Sequence, residues 1–243
     1  MPKYFFKPNQ LCGGDITLTG EAAHHLIHVL RMTEGNSVTM CNGVNTDYTC
    51  IISAITKRGK EHALTLAVQS SSPCENELPA HIVLYQSLPK GDKLDLIIQK
   101  CTELGVTEII PVATARSVAK LKDATKKVER YQRIAESAAG QSMRGVVPVV
   151  HPATSFAEAV NAMSGHAIVA YEEEKICTLQ ASINSQKHSK VNVWIGPEGG
   201  WAKEEIETLT SHGATAISLG RRILRTETAA IATIAQLSMF LEV

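Results

Sequence analysis

The sequence has no apolar run long enough to act as a signal peptide or to span a bilayer. Its first ten residues instead contain Lys3, Lys7 and Pro8. The six cysteines include no CxxC pair, which argues against a zinc ribbon and a thioredoxin-like motif. We therefore expect reduced, mostly buried cysteines and a cytoplasmic location.

Signature motifs of several enzyme classes are also missing. No GxxxxGK[ST] is present, which argues against a P-loop nucleotidase, and no GxGxxG opens a strand-helix unit as in dinucleotide-binding dehydrogenases. No GxSxG elbow supports a hydrolase. His24 and His28 lie four residues apart and could ligate a metal if a third ligand converged. Without an HExxH motif, we interpret them as surface histidines and expect no metal.

The chain carries no net charge, which does not by itself indicate nucleic-acid binding. The region from Arg116 to Arg144 is nevertheless basic, with eight basic residues against Asp123, Glu129 and Glu136. The basic residues are Arg116, Lys120, Lys122, Lys126, Lys127, Arg130, Arg133 and Arg144. Local positive charge suits phosphate contacts, but a solvated helix face with salt bridges is an equally good interpretation.

The first part of the chain has short alternating runs separated by turn residues, which predicts a small barrel or sheet. Strands are predicted over Ser37–Cys41, Tyr48–Ile55 and Ala63–Val68. A helix over Glu21–Met32 follows Thr19 as its N-cap. Ser70–Pro79 has the composition of an interdomain linker, so we predict one domain over residues 1–72 and a second over 73–243.

The rest of the chain alternates strands with helices, which predicts an α/β domain with a parallel sheet covered on both faces. The predicted strands are His81–Leu88, Glu108–Val112, Val146–Val150, Ala167–Tyr171, Val191–Ile195 and Ala216–Leu219. The predicted helices are Asp92–Leu104, Thr125–Ser142, Ser155–Met163, a short one near Leu179, Lys203–His212 and Thr226–Leu241. The last helix is apolar on almost every side, so it either lies centrally or packs against a second subunit, and we favour a dimer.

Two loops follow strands of this sheet, at the edge where parallel sheets bind ligands. The first reads Gly-Pro-Glu-Gly-Gly-Trp from Gly196, and its glycines allow close approach to the backbone. The second reads Gly-Arg-Arg-Ile-Leu-Arg-Thr-Glu from Gly220, and its arginines lie beside the start of the last helix. The start of a helix with arginines nearby is suited to bind an anion. Because both loops follow strands at the same edge of the sheet, together they indicate one binding site.

These loops resemble the two signature loops of the RsmE family of 16S ribosomal RNA uridine-N3 methyltransferases. The resemblance covers nearly the whole chain. It includes His25–Met32, Lys90–Lys93, Gln99–Val106 and Arg116–Val118, in the order and spacing of the family.

The resemblance implies a PUA-like β-barrel followed by a SPOUT domain with a trefoil-knotted parallel sheet. It also implies a homodimer that uses S-adenosylmethionine to methylate N3 of a uridine of 16S rRNA in the decoding region of the small ribosomal subunit. The cofactor would lie among Gly196, Glu198, Gly200, Leu219, Gly220, Leu224, Arg225 and Thr226. The positions matching RNA contacts are Arg31, Arg116 and Arg144. One position departs from the family, because Gly140 stands where a glutamate is usual and no role of that glutamate transfers.

Methylation of uridine N3 requires loss of the imide proton and alignment of the nitrogen with the methyl group. Arg225 is the candidate for stabilising the developing negative charge, and Glu198 or Glu227 is the candidate base if burial raises its pKa. Arg225 could instead pair with one of these carboxylates, and proton loss to water is an alternative to either base. The competing functions are a non-enzymatic RNA-binding protein and a nucleotide-dependent oxidoreductase.

Overall fold

A computed structural model describes residues 3–58, 61–119, 126–183 and 188–242. The chain divides into two compact units. The first runs to Glu77 and also contains Ala139–Val147, and the second consists of Leu78–Ala138 and the chain from Pro148 onward. The prediction of two contiguous domains did not include this later segment of the first unit.

The first unit is built on one six-stranded sheet, with strands in the order β1-β4-β5-β6-β3-β2. The strands are β1 Tyr4–Phe5, β2 Leu11–Cys12, β3 Asp15–Leu18, β4 Ser37–Cys41, β5 Thr46–Arg58 and β6 Glu61–Pro73. Neighbouring strands are antiparallel except β1 and β4. Apolar side chains of the sheet pack with Ala23 and Leu26 into a single core.

Two predictions for this unit were wrong in detail. Ser70–Pro73 is not linker but the end of β6, where Ser71 pairs with Tyr48 of β5. The predicted helix Glu21–Met32 is a short helix α1, Gly20–His24, followed by a π-helical turn, His25–Val29. The imidazole ring of His28 lies 4.7 Å from that of His24 and 5.0 Å from that of His62, measured between centroids. Among the described residues no group of side chains could hold a metal ion.

The segment Ala139–Val147 is joined to the start of the chain by backbone contacts. The Lys3 backbone N–H donates to the Gly140 carbonyl at 2.9 Å. A Cβ atom at Gly140 would lie 2.5 Å from the Lys3 carbonyl oxygen, closer than carbon and oxygen can approach. The absence of a side chain at position 140 therefore has a structural reason in this protein.

The second unit contains a seven-stranded sheet in which all pairs of neighbours are parallel. Its strands are β7 His81–Ser87, β8 Glu108–Ala113, β9 Val149–Val150, β10 Thr154–Ser155, β11 His166–Ala170, β12 Lys190–Ile195 and β13 Ala214–Ile217. Six of them follow the order β10-β8-β7-β12-β11-β13, and β9 also pairs with β8. The predicted parallel α/β sheet is confirmed, although β9 is shorter than predicted and β13 begins two residues earlier.

Helices cover this sheet. They are α2 Lys93–Glu103, α3 Val128–Gln141, α4 Phe156–Ala162, α5 Leu179–Ile183, α6 Lys203–Ser211 and α7 Thr226–Leu241. Thr125, the predicted start of α3, lies outside the described residues. Helix α7 buries Ala230, Ile234 and Leu237 in the core, whereas Met239 is 71 % exposed.

The described cysteines are all free, and Cys41, Cys50, Cys74 and Cys101 are buried, whereas Cys12 is exposed and Cys177 half-buried. The burial of four of them agrees with the expectation of mostly buried thiols. No helix within the described ranges is both long enough and apolar enough to cross a membrane.

Glu108 joins two histidines at the amino-terminal edge of the sheet. Its two carboxylate oxygens each lie 2.6 Å from an imidazole Nε2, one of His81 and one of His151. Partial burial alone would raise the pKa of Glu108, but the hydrogen bonds to both imidazoles outweigh it and hold the pKa below its ordinary value of 4.5. The ionised carboxylate therefore stabilises the folded state at neutral pH.

We expect this contribution to be lost in acid, as the pH falls from 4.5 through the lowered pKa of Glu108 in the folded state. In this range the unfolded state binds the proton more readily than the folded state, so the free energy of unfolding decreases. Glu108→Gln should consequently reduce the slope of unfolding free energy against pH in this acidic range. Urea unfolding at several pH values measures it. Glu136→Gln, at an exposed helix position, is the control that should keep the wild-type slope, and equal slopes for both variants would contradict the prediction.

Candidate functional site

Three neighbouring strands end at one cavity. Strand β11 lies between β12 and β13, so the loops that follow these strands meet at the carboxyl edge of the sheet. The cavity has a volume of about 300 Å³, at the lower end of the range typical of small-molecule sites. All eight residues that the sequence predicts for the cofactor line it, namely Gly196, Glu198, Gly200, Leu219, Gly220, Leu224, Arg225 and Thr226.

The glycine-rich loop after β12 is held by close contacts that leave no room for side chains. A Cβ at Gly196 would lie 3.0 Å from the indole nitrogen of Trp201, which donates to the Ala170 carbonyl. Gly200 has a φ of +69°, and a Cβ there would lie 2.2 Å from a carboxylate oxygen of Glu172. The glycines therefore bring backbone and carboxylate together at the cavity wall.

The loop after β13 contributes cations. Gly220 has a φ of +104° and no atom near the position of a Cβ, so its backbone borders open space. Arg221, Arg222 and Arg225 all line the cavity and are exposed. Arg225 is also the N-cap residue of α7, and its carbonyl accepts the first helical hydrogen bond, from Ala229. This loop can therefore present guanidinium groups and the amino-terminal end of a helix to an anion.

Lys93 connects the two candidate bases. Its Nζ lies 2.8 Å from Oε1 of Glu198 and 3.3 Å from Oε2 of Glu227. Within the described ranges, no ion pair joins Arg225 to either carboxylate. The alternative in which Arg225 merely holds the two loops together is therefore not the observed arrangement, because Lys93 occupies that position.

Glu198 is ionised more readily than an ordinary glutamate. Burial would raise its pKa, but the ammonium of Lys93 and backbone N–H groups, including that of Lys90, outweigh the burial and lower the pKa below 4.5. A base for an imide proton would need a raised pKa instead. In this arrangement Glu198 is better suited to bind a cation than to remove a proton.

We expect Lys93→Met to raise the pKa of Glu198, because burial remains while the neutralising ammonium is lost. Carbon-13 NMR of labelled glutamate carboxyls measures this pKa, and Glu198→Gln identifies the resonance. Lys203→Met is the matched control, since Lys203 pairs at 3.7 Å with the exposed Glu207 away from this cavity. If Glu198 titrates at the same pH in wild type and Lys93→Met, the ammonium does not determine its ionisation.

The three predicted RNA-binding arginines differ in exposure. Arg31 is exposed and has a left-handed backbone with a φ of +54°. Arg116 is exposed and donates from Nη1 to the Gly199 carbonyl at 2.9 Å, so it also supports the glycine-rich loop. Arg144 is 3 % exposed and pairs with Glu77 at 2.7 Å, so it would reach RNA only if this ion pair opened.

The basic region between Arg116 and Arg144 is only partly described, because Lys120, Lys122 and Asp123 lie outside the described residues. Arg130 pairs with Asp95 of α2. This ion pair matches the interpretation of a salt-bridged helix face, while Arg133 remains exposed on α3.

Sequence reasoning missed the third loop of the cavity. Tyr171, Glu172 and Lys175 line it because they follow β11, the strand between the two whose loops were predicted. A hydrogen bond with Glu173 raises the pKa of Tyr171 to about 12, so the phenol stays protonated at neutral pH. The signal was available, since these residues lie at or just after the end of the predicted strand Ala167–Tyr171, but the strand order was needed to bring them to this edge.

The fold and this cavity define a class of protein. A model of the RNA methyltransferase domain matches residues 76–238, and a model of the PUA domain of RNA methyltransferases matches residues 18–61. The first of these spans the whole parallel sheet and all three cavity loops.

Individual relatives narrow the class. The ribosomal RNA small subunit methyltransferase E of Bacillus subtilis is 38% identical, over 91% of this chain and 89% of its own length. The Synechocystis protein of the same name is 32% identical, over 97% of this chain and 76% of its own length. A crystal structure of the Neisseria gonorrhoeae protein of that name, bound to S-adenosyl methionine, is 30% identical with a TM-score of 0.84 and covers 99% of this chain and 98% of its own. The chain belongs to the family of ribosomal RNA small subunit methyltransferase E.

Proposed function

We propose that this protein transfers a methyl group from S-adenosylmethionine to N3 of a uridine in 16S rRNA of the small ribosomal subunit. The observation that carries the proposal is the convergence of two glycine-containing loops and three arginines on one cavity at the carboxyl edge of the sheet. Relatives of the same family act on small-subunit ribosomal RNA by name, and one of them has been crystallised with this cofactor.

The residues around the cavity fit the cofactor's chemistry. Ile195, Leu219 and Leu224 supply apolar surface for an adenine ring. The loop backbone at Gly220 can bind ring nitrogens, because it borders open space. Carboxylates at Glu172 and Glu198 suit the ammonium or the ribose hydroxyls. The bound cofactor supplies an electrophilic methyl group.

Arg225 is the residue that we propose to stabilise the negative charge that develops on the uracil ring. Loss of the N3 proton spreads negative charge over the two flanking carbonyl oxygens, and an exposed guanidinium at the cavity can neutralise it. Glu227 or Glu198 would take the proton, with proton loss to water as the alternative. The lowered pKa of Glu198 favours Glu227 of these two carboxylates.

RNA would be bound by the exposed arginines Arg31 and Arg116, with Arg144 joining them if its pair with Glu77 opens. We also propose that the protein is a cytoplasmic homodimer with a knotted catalytic domain. The half-buried apolar side chains Ile231 and Phe240 and the exposed Met239 of α7 support a second subunit on this helix.

The test is methyl transfer from labelled S-adenosylmethionine to small ribosomal subunits that lack the modification, with the product mapped by mass spectrometry. We expect methyl-uridine at N3 with assembled subunits. Incorporation at another base would overturn the uridine assignment, and cofactor binding without incorporation would overturn the substrate. A protein that binds RNA but does not bind S-adenosylmethionine would favour the non-enzymatic alternative. Binding of a nicotinamide cofactor would favour an oxidoreductase.

A further inference from the structure

Gln86 interrupts the apolar pattern of β7. Ile82 and Leu84 point into the core that contains α2 and α7, and Gln86 occupies the next position on the same face. It is 0 % exposed. Because a buried amide is unfavourable unless its polar atoms are hydrogen-bonded, its contacts indicate why it is there.

Both hydrogens of the Gln86 amide nitrogen are used. Nε2 donates to the Ser87 carbonyl at 2.9 Å and to Oγ1 of Thr226 at 3.0 Å. The Thr226 hydroxyl in turn donates to the Gly196 carbonyl at 2.6 Å. A chain of hydrogen bonds, buried at Gln86 and partly buried at Gly196, therefore runs from β7 through the first residue of α7 to the glycine-rich loop after β12.

The amide is not optimal for packing alone. Its Oε1 is buried and accepts no hydrogen bond from any described residue. An apolar side chain of similar length would fill the same space without leaving a buried acceptor unsatisfied. The stability of the core therefore does not account for an amide at this position.

We propose that Gln86 is a positioning residue that sets the separation of the two cofactor loops. Thr226 and Gly196 both line the cavity, each from a different loop, whereas Gln86 lies behind them. By donating to Thr226, Gln86 directs the threonine hydroxyl toward Gly196 and fixes the backbone distance between the loops. The inference depends on the proposed placement of S-adenosylmethionine in this cavity.

The test combines Gln86→Met, Thr226→Val and the double variant. Each single variant breaks the chain of hydrogen bonds while keeping the side-chain volume, so each should weaken S-adenosylmethionine binding about tenfold, as for one buried hydrogen bond. The double variant should bind no more weakly than either single variant, because both changes break the same chain. Isothermal titration calorimetry measures the affinities without any RNA substrate.

A second measurement separates positioning from a general loss of stability. The thermal midpoint of the cofactor-free Gln86→Met variant should equal or exceed that of wild type, because an unsatisfied buried oxygen has been removed. Gln180→Met makes the same substitution at an exposed position of α5, outside the cavity lining, and should bind as wild type does. Wild-type affinity in Gln86→Met, additive losses in the double variant, or a lowered midpoint that accompanies the weaker binding would each overturn the inference. Wild type that fails to bind S-adenosylmethionine would overturn the proposed cofactor site itself.

Discussion

Arg225→Ala is expected to lower kcat for methyl transfer by about a hundredfold or more, the range seen when one group that stabilises developing charge is removed. Cofactor affinity should change much less, because backbone groups and carboxylates contribute most of the proposed cofactor contacts. Single-turnover transfer to small ribosomal subunits, with calorimetry for the cofactor, separates the two quantities.

Two variants serve as controls for this prediction. Arg225→Lys keeps the positive charge but loses the planar guanidinium group, so its kcat should lie between those of Arg225→Ala and wild type. Lys203→Ala removes an exposed cation from α6 and should leave the rate unchanged. If Arg225→Ala transfers methyl groups at the wild-type rate, Arg225 does not stabilise the transition state.

Gly140→Ala is expected to destabilise the protein by about 1–3 kcal/mol, the usual cost of overpacking. This reverses the normal effect, since alanine in a helix interior is favoured over glycine by up to about 1 kcal/mol. The reason is the Lys3 carbonyl oxygen, which would lie 2.5 Å from the new Cβ. The change should lower the thermal midpoint by several degrees in a chain of this size, as calorimetry or circular dichroism would measure.

The matched control is Ser137→Ala on the same helix, an exposed position where only helix propensity changes. In a chain that starts at residue 4, the penalty of Gly140→Ala should disappear because the opposing carbonyl is gone. If Gly140→Ala stabilises the full chain, the backbone at Lys3 moves away from the new Cβ at little cost and the prediction is wrong. Gly140→Glu should be at least as destabilising as alanine, because it places the same Cβ against the Lys3 carbonyl oxygen.

Local patterns in the sequence predict the parallel sheet and the two loops, and the family resemblance supplies the eight individual cavity residues. Buried strands and amphipathic helices alternate visibly, and the loops beginning at Gly196 and Gly220 follow strands at known offsets. The serines of Ser70–Pro73 concealed a strand, because their place in β6 is decided by pairing with β5 and not by their own propensity.

The partners within the site could not be predicted in this way. Lys93 meets Glu198 and Glu227 across more than a hundred residues of sequence, and Gln86 meets Thr226 across a similar separation. Such contacts depend on the order of the strands and the placement of the helices, which a short stretch of sequence does not determine. Tyr171 and Glu172 were missed for the same reason, since only the order of β12, β11 and β13 brings them to the cavity.

The segment Ala139–Val147 also affects how the protein is made. About sixty residues separate it from Glu77, so the amino-terminal unit lacks a structural piece until much of the second unit has been translated. The ion pair between Glu77 and Arg144 cannot form until Arg144 has been translated. The same holds for the hydrogen bond that the Asn45 N–H donates to the Gly145 carbonyl. Folding during synthesis therefore cannot finish one unit before the other begins. A fragment that ends at Glu77 would be a poor substitute for the native unit.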